Sequence, residues 1–195
     1  MQLVKLMNDP LFAAGRRAFI GKSGILLSAT AVALLAGREG LAADAKPGSA
    51  STGDDVRILN TALGAEHQAV AAYQVGAESK LLEKPVLNLA VQFQGHHKEH
   101  ADILAKTITK LGGKPVAALP KYTFPTDKLK SQADVLRFAA GLEQGAVSAY
   151  LGAVPAFHDR DLAKAAASIL GDEAMHWAIL RQALGENPVP SAFVS

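Results

Sequence analysis

The sequence predicts an all-α protein, a four-helix bundle with one long crossover between helices two and three. Three observations carry this. Aromatics make up 6% of the 195 residues while alanine is abundant, which favours helices packed through small side chains. Apolar residues recur at spacings of three and four in four separate stretches. Two short connections and one long, proline-bearing one divide those stretches into pairs.

Residues 46–53, "KPGSASTG", read as a flexible linker, and Asp54 or Asp55 as the cap of the first helix. That helix runs to about Leu82, with Leu59, Leu63, Val70, Tyr73 and Ala77 on its seam. Pro85 suits the first turn of the second helix, where no donor is needed, and Gly112-Gly113 suits its stop. Its seam is Ala90, Phe93, Leu104, Ile108 and Leu111. Residues 112–131 carry Pro115, Pro120 and Pro125 and no helical period. Fully extended, that segment spans at most about 65 Å, against about 38 Å for a 25-residue helix. It can therefore run the length of the bundle. The third helix covers about Gln132 to Val154, with Leu136, Ala140, Val147 and Tyr150 inward, and Pro155 ends it. The fourth starts near Asp161 and stops at Gly185, with Ile169, Leu180 and Leu184 inward. The bundle thus occupies 54–185, and 186–195 form an extended tail. No fifth helix is expected after Gly185, which speaks against a storage cage.

The first 45 residues have a different character. Arg16-Arg17-Ala18-Phe19-Ile20 precede an uncharged stretch, Ser23 to Gly37, and "LAADA" offers cleavage after Ala43 or Ala45. This is the pattern of an export signal, and the arginine pair resembles a twin-arginine one. Gly21 departs from that pattern by separating the apolar pair from Lys22. The expectation is a periplasmic or otherwise exported protein with no stable membrane span once the signal is removed. Residues 1–45 carry five basic groups (Lys5, Arg16, Arg17, Lys22, Arg38) and three acids (Asp9, Glu39, Asp44). The net +2 of the chain lies there, and the remainder is balanced, 15 against 15. No charge excess points to nucleic acid. There is no cysteine, so disulfides, thiolate metal sites and catalytic thiols are excluded.

The two halves repeat. "ALGAEHQAVAAY" (62–73) aligns with "AAGLEQGAVSAY" (139–150), pairing Glu66 with Glu143 and Tyr73 with Tyr150. "HKEHADIL" (97–104) aligns with "EAMHWAIL" (173–180), pairing His97 with Glu173 and His100 with His176. These residues also interrupt the seams. Glu66 sits between Leu63 and Val70, and Glu143 between Ala140 and Val147. His97 and His100 fill the gap from Phe93 to Leu104, and Glu173 and His176 the gap from Ile169 to Leu180. A lone buried carboxylate costs several kcal/mol. Carboxylates and imidazoles meeting at one level could instead share a cation, and their oxygen and nitrogen donors suit iron, manganese or zinc.

This arrangement is similar to the ferritin-like carboxylate-bridged di-metal bundles, with one Glu from each of two helices and Glu-x-x-His from each of the others. Within them the sequence looks most like exported bacterial ferritin-like domain proteins. The resemblance implies metal ligands at Glu66, His100, Glu143, Glu173 and His176, with His97 where the family places a bridging glutamate. It places Tyr73 and Tyr150 where they could line the site or hydrogen-bond to it. It implies one or two iron or manganese ions, zinc being a further option. The function implied is a metal-dependent redox or stress-protection role, either ferrous oxidation or peroxide scavenging. The expected partners are metal ions, a small oxidant and, as an option, a second copy of the chain. The competing reading is a non-catalytic envelope bundle with a vestigial site. Three glutamates do not offset two divalent ions, so His97 argues against ordinary di-iron chemistry. His96 and Glu99, turned about 100° and 200° from His97, are expected to face solvent.

Overall fold

The computed structural model describes residues 49–194, so the export-signal segment lies outside the described residues. Among these residues four α-helices form: α1 (Ser49–Glu78), α2 (Lys84–Lys110), α3 (Gln132–Ala153) and α4 (Arg160–Ala183). No strand occurs among them. The predicted all-α four-helix bundle is what the structure shows.

Local chemistry accounts for most boundaries. Pro85 occupies the first turn of α2. Gly112 and Gly185 take the left-handed conformation (φ 80° and 75°) just past the ends of α2 and α4. Ser131 caps α3, accepting from the backbone N–H of Asp134, and Asp159 caps α4. Pro155 breaks α3 into a single 3₁₀ turn, Val154–Ala156.

The beginning of α1 differs from expectation. The helix starts at Ser49, inside the stretch read as linker, and not after Asp54 or Asp55. Asp55 caps no helix of its own. Its buried carboxylate accepts from the backbone N–H groups of His158 and Asp159, at 2.8 and 3.0 Å. It ties the α3–α4 connection to α1, a contact across about 100 residues that no local signal announces.

Each short connection folds its two helices together, α1 on α2 and α3 on α4, and α1 also meets α3. The crossover runs from one end of the bundle to the other. It starts beside α1, where Asn60 donates to Lys114 O and accepts from Val116 N. It finishes where Gln132 accepts from Glu83 N, next to the α1–α2 turn. Phe124 packs edge-on against Phe138 of α3 on the way.

The interior consists of two apolar clusters. One gathers Leu59, Leu63, Leu104, Ile108, Phe157 and Ile169, the other Phe93, Leu136, Ala140 and Leu180. On α1 the buried stripe is rotated slightly from expectation. Ala72 and Gly76 are buried, while Val70 and Ala77 are half-buried. Gly76 lets α1 approach α3, since a Cβ there would lie 3.2 Å from Val135. Between the two clusters lies a layer of buried polar side chains.

Candidate metal centre

Each helix delivers its seam interruption to that layer. Glu66 (α1), His97 (α2), Glu143 (α3), and Glu173 and His176 (α4) are at most 3% exposed. His100 is partly buried. All six predicted ligand residues come together. Glu66, His97, His100 and Glu173 present donor atoms within 4.8 Å of one another, and so do His97, Glu143, Glu173 and His176. The two groups share His97 and Glu173, the pair that the repeat aligns.

The tyrosines bind the layer crosswise. Tyr150 of α3 donates to Glu66 Oε1 of α1 at 2.6 Å, and Tyr73 of α1 donates to Glu143 Oε1 of α3. The internal repeat maps each of these bonds onto the other. Burial and the adjacent carboxylates push both phenols well above their usual range, so both remain donors.

His97 lies at the centre. Its Nδ1 is 2.8 Å from Glu66 Oε2 and its Nε2 is 3.3 Å from Glu143 Oε1. Burial alone would depress its pKa. Hydrogen bonds to Glu143 and Glu66, with the charges of Glu143 and Glu173, outweigh burial and push it up to about 11. Both ring nitrogens then donate. His100 and His176 move the same way, each to about 9: burial is opposed by the close carboxylates of Glu173 and Glu66 in one case, of Glu143 and Glu173 in the other. Glu66 and Glu143 are held below the usual carboxylate range, since hydrogen bonds from the surrounding histidines outweigh the opposing effect of burial.

Several donors in the layer have no hydrogen-bond partner among the described residues. These are His100 Nδ1, His176 Nδ1, Glu143 Oε2 and both carboxylate oxygens of Glu173. Glu173 Oε1 lies 3.2 Å from His100 Nδ1 without hydrogen-bond geometry, and buried polar atoms left without hydrogen bonds need a reason. The orphaned atoms belong to both ligand groups and are of the types that hold first-row divalent ions. The residues present therefore fit a metal.

Two residues that sequence reasoning placed elsewhere, or passed over, also face the layer. His96 was expected to point to solvent, but its ring is half-buried and stacks on His176, centroids 5.0 Å apart. Asp172 stands at the same margin, on α4. Its Oδ2 lies 3.2 Å from His96 Nδ1, 3.2 Å from His176 Nε2 and 3.4 Å from His100 Nε2. The repeat held the signal: the offset that pairs His97 with Glu173 pairs His96 with Asp172. Glu99 is exposed, as expected. Trp177 packs against the second apolar cluster, beneath the Arg181 guanidinium.

A model of the ferritin-like domain family matches residues 54–186. A conserved hypothetical protein from Mycobacterium tuberculosis superposes with a TM-score of 0.63 at 24% identity, over 74% of this chain and 99% of that one. A ferritin-like, diiron-carboxylate protein from Bacillus anthracis superposes with a TM-score of 0.60 at 18% identity, over 69% and 97%. At these identities the likeness is one of fold. No protein of curated function matches the chain.

Proposed function

The chain belongs to the ferritin-like domain family, and on that premise we propose that its buried polar layer holds one or two divalent first-row ions, iron or manganese, for a redox or stress-protection role. Ferrous oxidation or peroxide removal is the reaction class. One observation carries the metal assignment. Glu173, fully buried, makes no hydrogen bond with either oxygen, and the Nδ1 atoms of His100 and His176 that approach it to 3.2 and 3.8 Å make none either. Glu66 and Glu143 supply the remaining carboxylates, with Tyr150 and Tyr73 fixing the orientation of each. An ion bound there would supply the electron-transfer chemistry. The protein's part is to position the donors, exclude water and move protons, because His100 and His176 must lose theirs to become ligands.

Metal analysis after reconstitution with iron, manganese or zinc tests this. Bound metal should be lost in Glu143→Ala and His176→Ala. A protein that stays metal-free, or variants that bind as the parent does, would overturn it.

A second reading rests on His97. Its imidazolium bridges Glu66 and Glu143 without any ion, which is how a metal-free structural bundle would hold these carboxylates. Thermal unfolding separates the two readings, since a chelator should lower the midpoint of a metal protein and leave a structural bundle unchanged.

Export is part of the proposal, supported by Arg16-Arg17 ahead of the uncharged Ser23–Gly37 stretch. Replacing both arginines by lysine should retain the protein in the cytoplasm of a bacterial host. Continued export would sink the twin-arginine assignment.

A further inference from the structure

We infer that His96, Asp172 and His176 form a second metal position, set outside the buried layer and open to solvent, that takes a divalent first-row ion on two imidazoles and one carboxylate. The three donor atoms form a compact triangle: 2.8 Å from His96 Nδ1 to His176 Nε2, and 3.2 Å from each nitrogen to Asp172 Oδ2. An ion about 2.1 Å from each donor would see them at roughly 85–100° to one another, one face of an octahedron with three positions left open. The side chains of His96 and Asp172 are 34% and 25% exposed, while that of His176 is 1% exposed. The open positions therefore face outward between α2 and α4. Phe93 stacks on the His176 ring at 4.0 Å and holds its plane.

The His176 ring links this position to the inner layer. Its Nε2 faces the outer triad, while its Nδ1 lies 3.5 Å from Glu143 Oε1 and 3.8 Å from Glu173 Oε2. Coordinating an ion on both nitrogens at once would strip the ring of both protons, whereas using them in turn would not. The outer triad and the buried donors therefore share one ring and use it in turn. The repeat supplies an independent reason. At the aligned positions 96 and 172 one half carries imidazole and the other carboxylate, so two facing like charges are avoided and a mixed donor set results.

A simpler role for Asp172 is to orient His100 and His176 by accepting their Nε2 protons. That role does not require His96, which makes His96→Leu the informative variant. Crystals of the purified protein equilibrated with a small molar excess of Co²⁺ would be examined by anomalous diffraction at the cobalt edge. The expected result is a peak among His96, Asp172 and His176 in the parent, lost in His96→Leu, with peaks in the buried layer retained. Cobalt in the buried layer alone, or an outer peak that survives His96→Leu, overturns the inference and leaves the proposed function standing. Cobalt in the outer triad alone supports the inference and defeats the buried centre. Cobalt at neither position defeats both. Should His96→Leu fail to fold, Asp172→Asn carries the same expectation for the outer peak.

Discussion

Replacing His97 by glutamate would restore the fourth carboxylate of the family pattern and reverse the charge at the centre of the layer. In the metal-free protein the His97 imidazolium sits 2.8 Å from Glu66 and 3.3 Å from Glu143. Removing one partner from a buried, hydrogen-bonded ion pair costs roughly 3–5 kcal/mol. The new carboxylate adds repulsion until one of the four acids takes up a proton, which caps the further loss. For a domain of this size each kcal/mol lowers the melting midpoint by about 3–4 °C, so the metal-free variant should melt about 10–20 °C below the parent. Metal should reverse the order. Two divalent ions bring four positive charges, which three glutamates leave partly uncompensated and four offset. His97→Glu should therefore bind one more equivalent of Mn²⁺ in the buried layer than the parent does. The assay is thermal unfolding in chelator and in Mn²⁺, with metal content measured on the same samples. A chelated variant that melts with the parent would show that His97 is not the buried counter-charge. Unchanged stoichiometry would refute the charge argument for its place in this chain.

Three further outcomes are expected. Tyr150→Phe leaves Glu66 Oε1 without its 2.6 Å donor and should cost about 1–3 kcal/mol in denaturant unfolding. The double variant with Tyr73→Phe should be non-additive, because both glutamates also bond His97; strict additivity would contradict a shared network. Asp55→Ala strands the N–H groups of His158 and Asp159 and should also cost about 1–3 kcal/mol. Metal stoichiometry should stay the same in that variant, and a loss of metal would mean the α3–α4 connection helps shape the site. The pH dependence without metal follows from the raised histidines and lowered glutamates. His97 at about 11 and His100 and His176 at about 9 lie above their ordinary 6.5, so their contribution is full below 6.5 and is lost as pH rises through 9 towards 11. Glu66 and Glu143 lie below their ordinary 4.5, so their contribution is present above 4.5 and is lost as pH falls. Thermal midpoints in chelator should therefore peak between about pH 4.5 and 6.5 and decline toward pH 9, while metal affinity climbs over the same rise. A midpoint that increases from pH 6.5 to 9 in chelator would contradict the histidine assignments.

How far the sequence reveals this molecule depends on which residues share a helix face. Leu63–Glu66–Val70 and Phe93–His97–His100–Leu104 show in one dimension that a polar group stands where an apolar one belongs. Packing four such helices brings those groups to one level, and all six predicted ligands meet there. Contacts that depend on how faces oppose each other across helices leave no such trace. Tyr73 and Glu66 are two turns apart on α1, yet the tyrosine–glutamate bond of each runs across to α3, Tyr73 to Glu143 and Glu66 to Tyr150. Asp55 resembles a local helix cap and instead serves the α3–α4 connection.

His96 shows the limit of a single-helix argument most clearly. Turned about 100° from an inward residue, it belongs to solvent only if nothing stands beside α2 in that direction. Asp172 and His176 of α4 stand there, at 3.2 and 2.8 Å. A residue at the margin of a buried stripe is assigned by the partner helix, not by its own. In a duplicated bundle that partner is named by the repeat: the position aligned with 96 is 172, and across the approximate two-fold relation the two aligned positions face each other. Chemistry at a bundle's margin is thus better sought by reading aligned positions of the halves as opposing pairs. Mixed pairs such as His96 and Asp172 mark places where two helices can hold something between them.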